Sequence, residues 1–394
     1  MTFGIVLFIV ALLVVIMIHE TGHFLVAKAL GFKATKFFVG FGPTVWSFQR
    51  GETEYGIKAI PAGGFVKIVG MNPYEEVAPE DESRSYPNKP RWQRALMIAA
   101  GPATHWPLAF VILLVTALTL GFPTGQATNV VSQIETQING TQTPAMAAGL
   151  QPGDHIIAVN GEEVTSWSQT RAAIRSNAGR ATTFTYERDG ETRETTTTLG
   201  TAIFNKQGEV VDYAPPGEDV RPLKPGEQTA GFLGVQPEER FDKPGLVGGI
   251  TASAKRTVSL TGFLVTTIGQ PFTSVFNGDL FDALRGHGPR TPEEGPVGIV
   301  GAGRIAGASV QNHRYADFVG LMVGLTIFVG LINLLPLPPL DGGHLAVILY
   351  EVITRRRVDI RKLIPIAAAV ISFFVLLFFA VLYLDLARPL QVPL

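Results

Sequence analysis

A metal-binding pattern lies inside the first apolar stretch of the chain. Residues 19–23 read H-E-T-G-H and directly follow the run IVLFIVALLVVIMI. On an α-helix, His19 and His23 lie one turn apart on the same face, so both imidazoles can reach one metal ion. The Glu20 carboxylate beside them is not needed as a ligand and can act on a water molecule. The alternative is a pair of hydrogen-bonded histidines at a helix end, which is hard to reconcile with an otherwise apolar helix.

A zinc site needs a third protein ligand, and a candidate lies towards the end of the chain. Residues 333–344 read N-L-L-P-L-P-P-L-D-G-G-H. The prolines cannot continue a regular helix, and unwound backbone at membrane depth occurs only where it is buried in protein or lines a cavity. Asp341 therefore either joins His19 and His23 on a metal ion or caps a helix beside a turn. The segment alone leaves both interpretations open.

The composition is that of a membrane protein with a soluble part. Of the 394 residues, 46% are hydrophobic and 16% are charged, which is too apolar for an ordinary soluble protein. The formal net charge of −1 gives no indication of nucleic-acid binding. The absence of cysteine excludes disulfides and thiolate-bound metal, so a metal ion must bind to histidine and carboxylate. The N-terminus lacks the basic start and cleavage site of a signal peptide, and we expect it to be retained.

Four apolar stretches have the length of about 20 residues that a bilayer requires. They cover residues 3–30, 93–121, 316–338 and 363–385. Lysine and arginine are concentrated in the connection between the first two stretches and in the connection between the last two. Because short cytoplasmic loops carry this excess, both connections are predicted to be cytoplasmic. Both termini and the long middle segment are then extracytoplasmic.

A short β-hairpin is predicted in the loop of residues 32–90, after the first apolar stretch. Residues 53–69, TEYGIKAIPAGGFVKIV, indicate two short strands joined by a Pro-Ala-Gly-Gly turn. One interpretation is a re-entrant hairpin packed against the helix that carries His19. The other is a small cytoplasmic hairpin without a role in chemistry, and the pattern favours neither.

The middle of the chain differs in composition from the rest. Residues 123–228 are polar and rich in threonine, with short alternating runs that predict strands and hairpins. Asp189 and Gly190 form a dipeptide typical of a hairpin turn. Residues 171–178, RAAIRSNA, indicate a short helix. Together these features predict a compact α+β domain outside the membrane.

A linker is predicted to follow, over residues 229–315. Its part at residues 249–276 contains a Lys-Arg pair and many polar residues, which favours an amphipathic helix on the membrane surface. A fifth spanning helix is the alternative, and it would invert the orientation of everything after it.

The motifs together resemble the site-2 protease family of intramembrane zinc metalloproteases. H-E-T-G-H in the first apolar stretch and N-L-L-P-L-P-P-L-D-G-G in the third carry the likeness. The segment P-A-M-A-A-G-L-Q-P-G-D-H-I-I-A-V-N-G, residues 144–161, resembles the PDZ domains of bacterial members. Further matching segments are residues 37–43, 51–71 and 295–299. The single PDZ-like segment is similar to that of actinobacterial members, which cleave anti-sigma factors.

The resemblance implies a role for each residue of the site. The implied zinc ligands are His19, His23 and Asp341, the implied catalytic base is Glu20, and Asn333 is implied to position the substrate backbone.

One residue departs from the family's pattern. Residues 101–105 read G-P-A-T-H, where the family usually has G-P-x-x-N. His105 is then either a tolerated exchange of one hydrogen-bonding side chain for another, which we favour, or an additional titratable group or competing ligand near the site.

The predicted architecture is a multi-pass α-helical membrane protein with four transmembrane helices, an inserted α+β PDZ domain and a membrane-associated β-hairpin. Its parts are a first piece of the membrane core (1–122), an extracytoplasmic PDZ domain (123–228), a linker with a membrane-surface helix (229–315) and a second piece of the core (316–394).

The implied function is zinc-dependent hydrolysis of peptide bonds within or near the transmembrane segments of single-span proteins such as anti-sigma factors, after a prior ectodomain cleavage. The expected place is the bacterial inner (plasma) membrane, with the active site open towards the cytoplasm, and no nucleic acid is expected as a partner. Two alternatives are a catalytically inactive membrane scaffold with a PDZ domain and a metal transporter. Neither alternative needs Glu20 as a base. The sequence gives no indication of the oligomeric state.

Overall fold

The computed structural model describes residues 2–72, 74–138, 140–206, 208, 210–269, 273, 277–286, 296–311 and 314–390. The chain forms two compact units, the first from residues 1–120 and 243–394 and the second from residues 121–242. All of the long apolar helices belong to the first unit.

The described helices are, in chain order, α1 (Thr2–Ala29), α2 (Arg91–Ala103), α3 (His105–Thr119), α4 (Pro144–Ala147), α5 (Trp167–Ser176), α6 (Gly245–Thr267), α7 (Asp279–Arg285), α8 (Ile299–Gln311), α9 (Tyr315–Asn333), α10 (Asp341–Thr354) and α11 (Ile364–Ala387). The described strands are β1 (Ala34–Arg50), β2 (Thr53–Ile68), β3 (Phe122–Ile134), β4 (Gln137–Ile138), β5 (Thr141–Gln142), β6 (His155–Val159), β7 (Glu162–Glu163), β8 (Ala181–Arg188), β9 (Glu191–Thr198), β10 (Gly200–Phe204), β11 (Val210–Ala214), β12 (Gln228–Phe232) and β13 (Val235–Asp242).

Four helical stretches of the described chain are long and apolar enough to cross a membrane. They are Phe3–Ala29, Arg91–Thr119, Tyr315–Asn333 and Arg361–Ala387. Each overlaps one of the four predicted stretches, so the prediction of four candidate spans is confirmed. The protein is a membrane protein.

Two of these spans differ in detail from the prediction. The second span is divided into α2 and α3 at Thr104, two residues after Pro102, which has no N–H for the helical hydrogen bond. The third span ends at Asn333 and not at residue 338, because the prolines that follow cannot continue the helix. A further helix, α10, begins directly at Asp341, and the sequence had not indicated it.

The β-hairpin has a different strand order from the predicted one. The first half of β1 lies between the two halves of β2, since Phe38 pairs with Gly56 on one side and with Phe65 on the other. The two predicted strands of residues 53–69 are therefore not partners of each other, and the prediction of a direct turn between them was wrong. The reason is that residues 34–50 are themselves a long strand, which supplies the missing partner for both halves through several bulges.

This hairpin is packed against α1 and is not independent of it. Arg84 donates two hydrogen bonds to the Glu52 carboxylate, at 2.7 and 2.8 Å, and Lys28 of α1 donates a third at 2.8 Å. These bonds, those from Arg84 above all, lower the pKa of Glu52 to about 2. At the other end of the hairpin, a Cβ on Gly64 would lie 2.5 Å from Met17 Sδ of α1. Of the two interpretations left open by the sequence, the structure agrees with the hairpin packed on the helix that carries His19.

The second unit is the predicted α+β domain. Its largest sheet has the strand order β13-β3-β6-β8-β9, with β7 also paired to β6. A three-stranded sheet, β11-β10-β12, and the small pair β4-β5 complete it. The predicted turn is confirmed, because Arg188 pairs with Glu191 around Asp189 (φ 56°) and Gly190 (φ 79°). The predicted short helix is α5.

The boundary predicted for this domain at residue 228 is too early. Strand β12 pairs with β10, and β13 pairs with β3, with Val235 opposite Ile134 and Asp242 opposite Phe122. Residues 229–242 therefore belong to the unit and not to a linker. Sequence could not show this because the partner of β13 lies about a hundred residues earlier in the chain, and pairing of that kind leaves no local pattern.

Helix α6 packs lengthwise against α3. Gly249 lies against Leu114 and Leu118 at one end, and Trp106 Nε1 donates to Thr261 Oγ1 at 3.1 Å at the other. The two helices are therefore antiparallel neighbours. The buried face of α6 consists of small residues (Gly249, Ser253 and Thr257), which allow this close approach.

This packing corrects the prediction of a membrane-surface helix at residues 249–276. Because α3 is part of a candidate span, a helix that runs beside it does not lie flat on the bilayer surface. Among the described residues α6 is not one of the four candidate spans either, so the alternative of a fifth spanning helix with inverted orientation is not supported. Residues 270–272 and 274–276 of the predicted helix lie outside the described residues.

Candidate active site

Two neighbouring turns of α1 and the first residue of α10 bring three side chains together. His19 Nε2 and His23 Nε2 are 3.1 Å apart, and Asp341 Oδ2 is 3.1 Å from the first and 3.2 Å from the second. Both histidines are buried, with 7% and 8% of their surface exposed. In the described part of the chain, these three residues are the group of histidine and carboxylate side chains that could hold a metal ion.

The first two of these side chains are placed by the close contact of α1 with α2. A Cβ on Gly22 would lie 2.5 Å from the carbonyl oxygen of Ala100, so only glycine permits this approach. A Cβ on Gly101 would overlap the imidazole of His23. The two glycines therefore set the distance between the helices, and His23 occupies the space that Gly101 leaves.

Asp341 reaches the histidines because the chain reverses sharply before it. Helix α9 ends at Asn333, residues 334–340 are not helical, and α10 begins at Asp341. A Cβ on Gly342 would overlap the carbonyl oxygens of Leu334 and Leu335. The Asp-Gly-Gly sequence thus allows the turn, and the carboxylate that starts α10 points at His19 and His23 rather than capping the helix.

The geometry of the three side chains fits a zinc ion. Ligand atoms bonded to one tetrahedral zinc ion at 2.0–2.1 Å lie about 3.3 Å from each other, close to the distances of 3.1, 3.1 and 3.2 Å found here. Asp341 Oδ2 is buried and has no hydrogen-bond partner among the described residues. His23 Nδ1 donates to the carbonyl oxygen of Met97 at 2.9 Å, which leaves the Nε2 lone pair free for a metal. A donor set of two imidazoles and one carboxylate leaves the fourth position of a catalytic zinc open.

Glu20 lies beside this group and is bound by the hairpin. Its Oε2 accepts a hydrogen bond of 3.1 Å from the backbone N–H of Val66 in β2. This backbone N–H donor holds the carboxylate in position. The sequence could not indicate Val66, because the contact depends on how the hairpin packs against α1.

The remaining predicted residues are placed differently. Asn333 is the last residue of α9, and its Nδ2 donates to the carbonyl oxygen of Val329 in the same helix at 3.0 Å. The structure does not bring it into the group of three. His105 is fully buried, and its Nε2 lies 3.1 Å from His19 Nδ1, on the side of that ring away from Asp341. His105 is therefore a hydrogen-bond partner of His19 and not a competing ligand.

Comparison with known proteins shows which family this site belongs to. The model of peptidase family M50 matches residues 7–379. The chain belongs to peptidase family M50. The zinc metalloprotease Rip1 of Mycolicibacterium smegmatis is 34% identical over 421 residues, covering 99% of this chain and 98% of that protein. Rip1 of Mycobacterium tuberculosis strain H37Rv is 33% identical over 389 residues, covering 95% and 91%. The zinc metalloprotease RasP of Shouchella clausii is 28% identical over 456 residues, covering 97% and 98%.

Membership of family M50 confirms three predictions made from the sequence. The resemblance to the site-2 proteases was correct, the protein is a zinc metalloprotease, and its cofactor is zinc. The roles of the individual residues stay predictions.

The role of Gly101 leads to a first prediction. In Gly101→Ala the new methyl group overlaps His23, and we expect weaker zinc binding and a loss of about 1–3 kcal/mol of stability from overpacking. Gly320→Ala in α9 is the matched control, because a Cβ there meets nothing within 4 Å. It should leave zinc content unchanged and stability equal or slightly higher. Zinc analysis and thermal unfolding in detergent would measure both, and equal behaviour of the two variants would contradict the prediction.

Proposed function

We propose that this M50 protein cleaves peptide bonds inside the membrane. The observation that carries the proposal is the placement of His19 and His23, since both lie within the candidate span Phe3–Ala29 and converge on Asp341. Ionisable groups in such a segment are costly and mark functional sites. A substrate bond at this depth is shielded from water, so the enzyme has to supply both the water and the charges that activate it.

In the proposed mechanism, His19, His23 and Asp341 hold the zinc ion. When bound there, zinc polarises the substrate carbonyl and makes water a better nucleophile at neutral pH. Glu20 takes the proton from the attacking water and passes it to the leaving amine. The N–H of Val66 holds the Glu20 carboxylate in place at 3.1 Å before the substrate binds.

The edge of the hairpin is our proposed place for the substrate backbone. Residues 64–68 of β2 pair with β1 on one side, and the N–H of Val66 points away from β1 to Glu20. Alternate residues of a strand present their N–H and C=O groups to the same edge. An unwound segment of substrate can therefore add to this edge as an extra strand close to Glu20. Asn333 is our proposed second contact for that segment.

We propose that the hairpin enters the bilayer. Its outer part carries large apolar side chains that are exposed by 45–69%: Phe41, Val45, Trp46, Phe48, Ile57 and Ile60. A contiguous surface of this kind in water would be unfavourable, and it is typical of a membrane contact. The hairpin then extends from the bilayer to the edge of β2 that lies beside Glu20.

The finer features of substrate choice are also proposals. We propose that residues 121–242 are a PDZ domain, that they lie outside the cytoplasm together with both termini, and that the protein resides in the bacterial inner membrane with its site open to the cytoplasm. The substrates we propose are single-span proteins such as anti-sigma factors whose ectodomain has already been shortened. The M50 assignment and the distribution of lysine and arginine support this placement.

Ectodomain length provides the test. The purified protein, reconstituted in liposomes with zinc, is given a tagged single-span anti-sigma factor either with its whole ectodomain or with the ectodomain removed. We expect the truncated form to be cut within its membrane segment and the intact form to stay whole, as resolved by mass spectrometry of the fragments. Equal cleavage of both forms would contradict size selection, and cleavage of neither by zinc-loaded protein would contradict the proposed substrate class.

A further inference from the structure

His105 is a buried polar side chain that contacts His19 of the proposed metal centre and that the proposed reaction does not use. The ring is 0% exposed and lies at the start of α3. Its Nε2 is 3.1 Å from His19 Nδ1, and the two ring centroids are 5.3 Å apart. His105 therefore contacts His19, a proposed ligand, at Nδ1, the ring nitrogen that faces away from the proposed metal position.

Metal binding determines the direction of this hydrogen bond. If Nε2 of His19 holds the metal with its lone pair, the proton of this ring must be on Nδ1, and Nδ1–H then donates to His105 Nε2. His105 then carries its own proton on Nδ1. The opposite direction would place a proton on His19 Nε2 and prevent that atom from binding a metal.

A purely space-filling role does not explain why the side chain at position 105 is a polar imidazole. His105 Nδ1 is buried and has no hydrogen-bond partner among the described residues. Leaving a buried donor unpaired is unfavourable, and an apolar side chain of the same size would avoid it. The neighbouring helix also makes room for the ring, because a Cβ on Gly330 of α9 would lie 2.9 Å from His105 Cβ and 3.1 Å from its Cγ and Cδ2.

The two histidine ligands differ in the acceptor that orients them. His23 donates to the backbone carbonyl of Met97, which no side-chain substitution removes. His19 donates to a side chain, so its tautomer and its ring orientation depend on the residue at position 105. We propose that His105 is a positioning residue of the zinc centre, which accepts the His19 N–H and holds the Nε2 lone pair towards the metal. This inference rests on the metal centre proposed above.

The test compares two substitutions of nearly equal shape. In His105→Gln the amide oxygen can accept the His19 N–H from about the position of Nε2, whereas His105→Met has no comparable acceptor. Zinc affinity of the purified full-length protein is measured by competition with a chelator, and the visible spectrum of the cobalt-substituted protein reports the ligand geometry. We expect His105→Met to weaken zinc binding about 10–100-fold and to change the cobalt spectrum. His105→Gln should stay close to the wild type in both measurements.

The controls separate this inference from the metal centre itself. Thr116→Val removes the hydroxyl of another buried polar residue of α3, which donates to the carbonyl oxygen of Ile112 in its own helix, and should leave zinc affinity unchanged. If the wild type binds no zinc, the proposed metal centre fails. If the wild type binds zinc and the Gln and Met variants bind it equally, whether tightly or weakly, only the role of His105 is overturned. Should His105→Met not fold, Gly330→Ala takes its place, because it displaces the His105 ring by overlap and should weaken zinc binding in the same way.

Discussion

Glu20→Gln is expected to bind zinc as the wild type does and to cleave its substrate about 10²–10⁴ times more slowly. The amide keeps the size of the side chain and can still accept the hydrogen bond from the N–H of Val66. It cannot take a proton from water, so the chemical step loses its base. Cleavage of a truncated single-span substrate in liposomes, measured beside zinc content, checks both halves of the prediction.

The matched control is Glu80→Gln, which makes the same change on an exposed side chain of the loop after the hairpin. It should cleave at the wild-type rate. Equal cleavage by Glu20→Gln and the wild type would rule out Glu20 as the base. If neither protein cleaves the substrate, and both the wild type and Glu20→Gln move zinc across the liposome membrane, the result would instead favour a metal transporter.

Asp341→Ala is expected to lose zinc and, with it, all activity. Two imidazoles remain, and they offer a catalytic zinc one ligand fewer than the three protein ligands it normally has. The loss of zinc affinity should exceed the 10–100-fold that is typical when a residue that hydrogen-bonds to a metal ligand is substituted. Zinc analysis after dialysis measures the effect, and addition of excess zinc should restore little activity.

Asp317→Ala is the control for this experiment, since Asp317 is an exposed carboxylate near the start of α9 that pairs with Arg314. Its zinc content should not change. Retention of zinc by Asp341→Ala would contradict the ligand assignment. His344, three residues further on, would then be the residue to substitute next, although it does not belong to the group of three in the described structure.

Much of the site could be predicted from the sequence because its first half is local. His19 and His23 are one helical turn apart, and helical periodicity alone places them on one face. The prolines before Asp341 predicted the end of a helix, and the structure has that end at Asn333. The four candidate spans followed from length and apolar composition, which depend on the bilayer and not on the fold.

Features that depend on contacts between distant segments were missed or misjudged. The first half of β1 lies between the two halves of β2, and β13 returns to β3 at the end of the second unit. The small-residue face of α6 packs against α3, although its charged pair had suggested the membrane surface. Strand order and helix neighbours are decided by which surfaces fit together, and a single sequence carries little trace of that choice.

The sequence by itself indicated the chemistry of this protein: two imidazoles and a carboxylate on one apolar helix, a second carboxylate at a broken helix end, and through both the resemblance to a family. Only the tertiary structure decided how close these groups come. Gly22 and Gly101 let α1 and α2 approach, the Asp-Gly-Gly turn aims Asp341, and the Val66 N–H reaches Glu20. The physical reason is that residue type and spacing indicate a reaction, whereas distances of about 3 Å between His19, His23 and Asp341 require the packing of segments far apart in the chain.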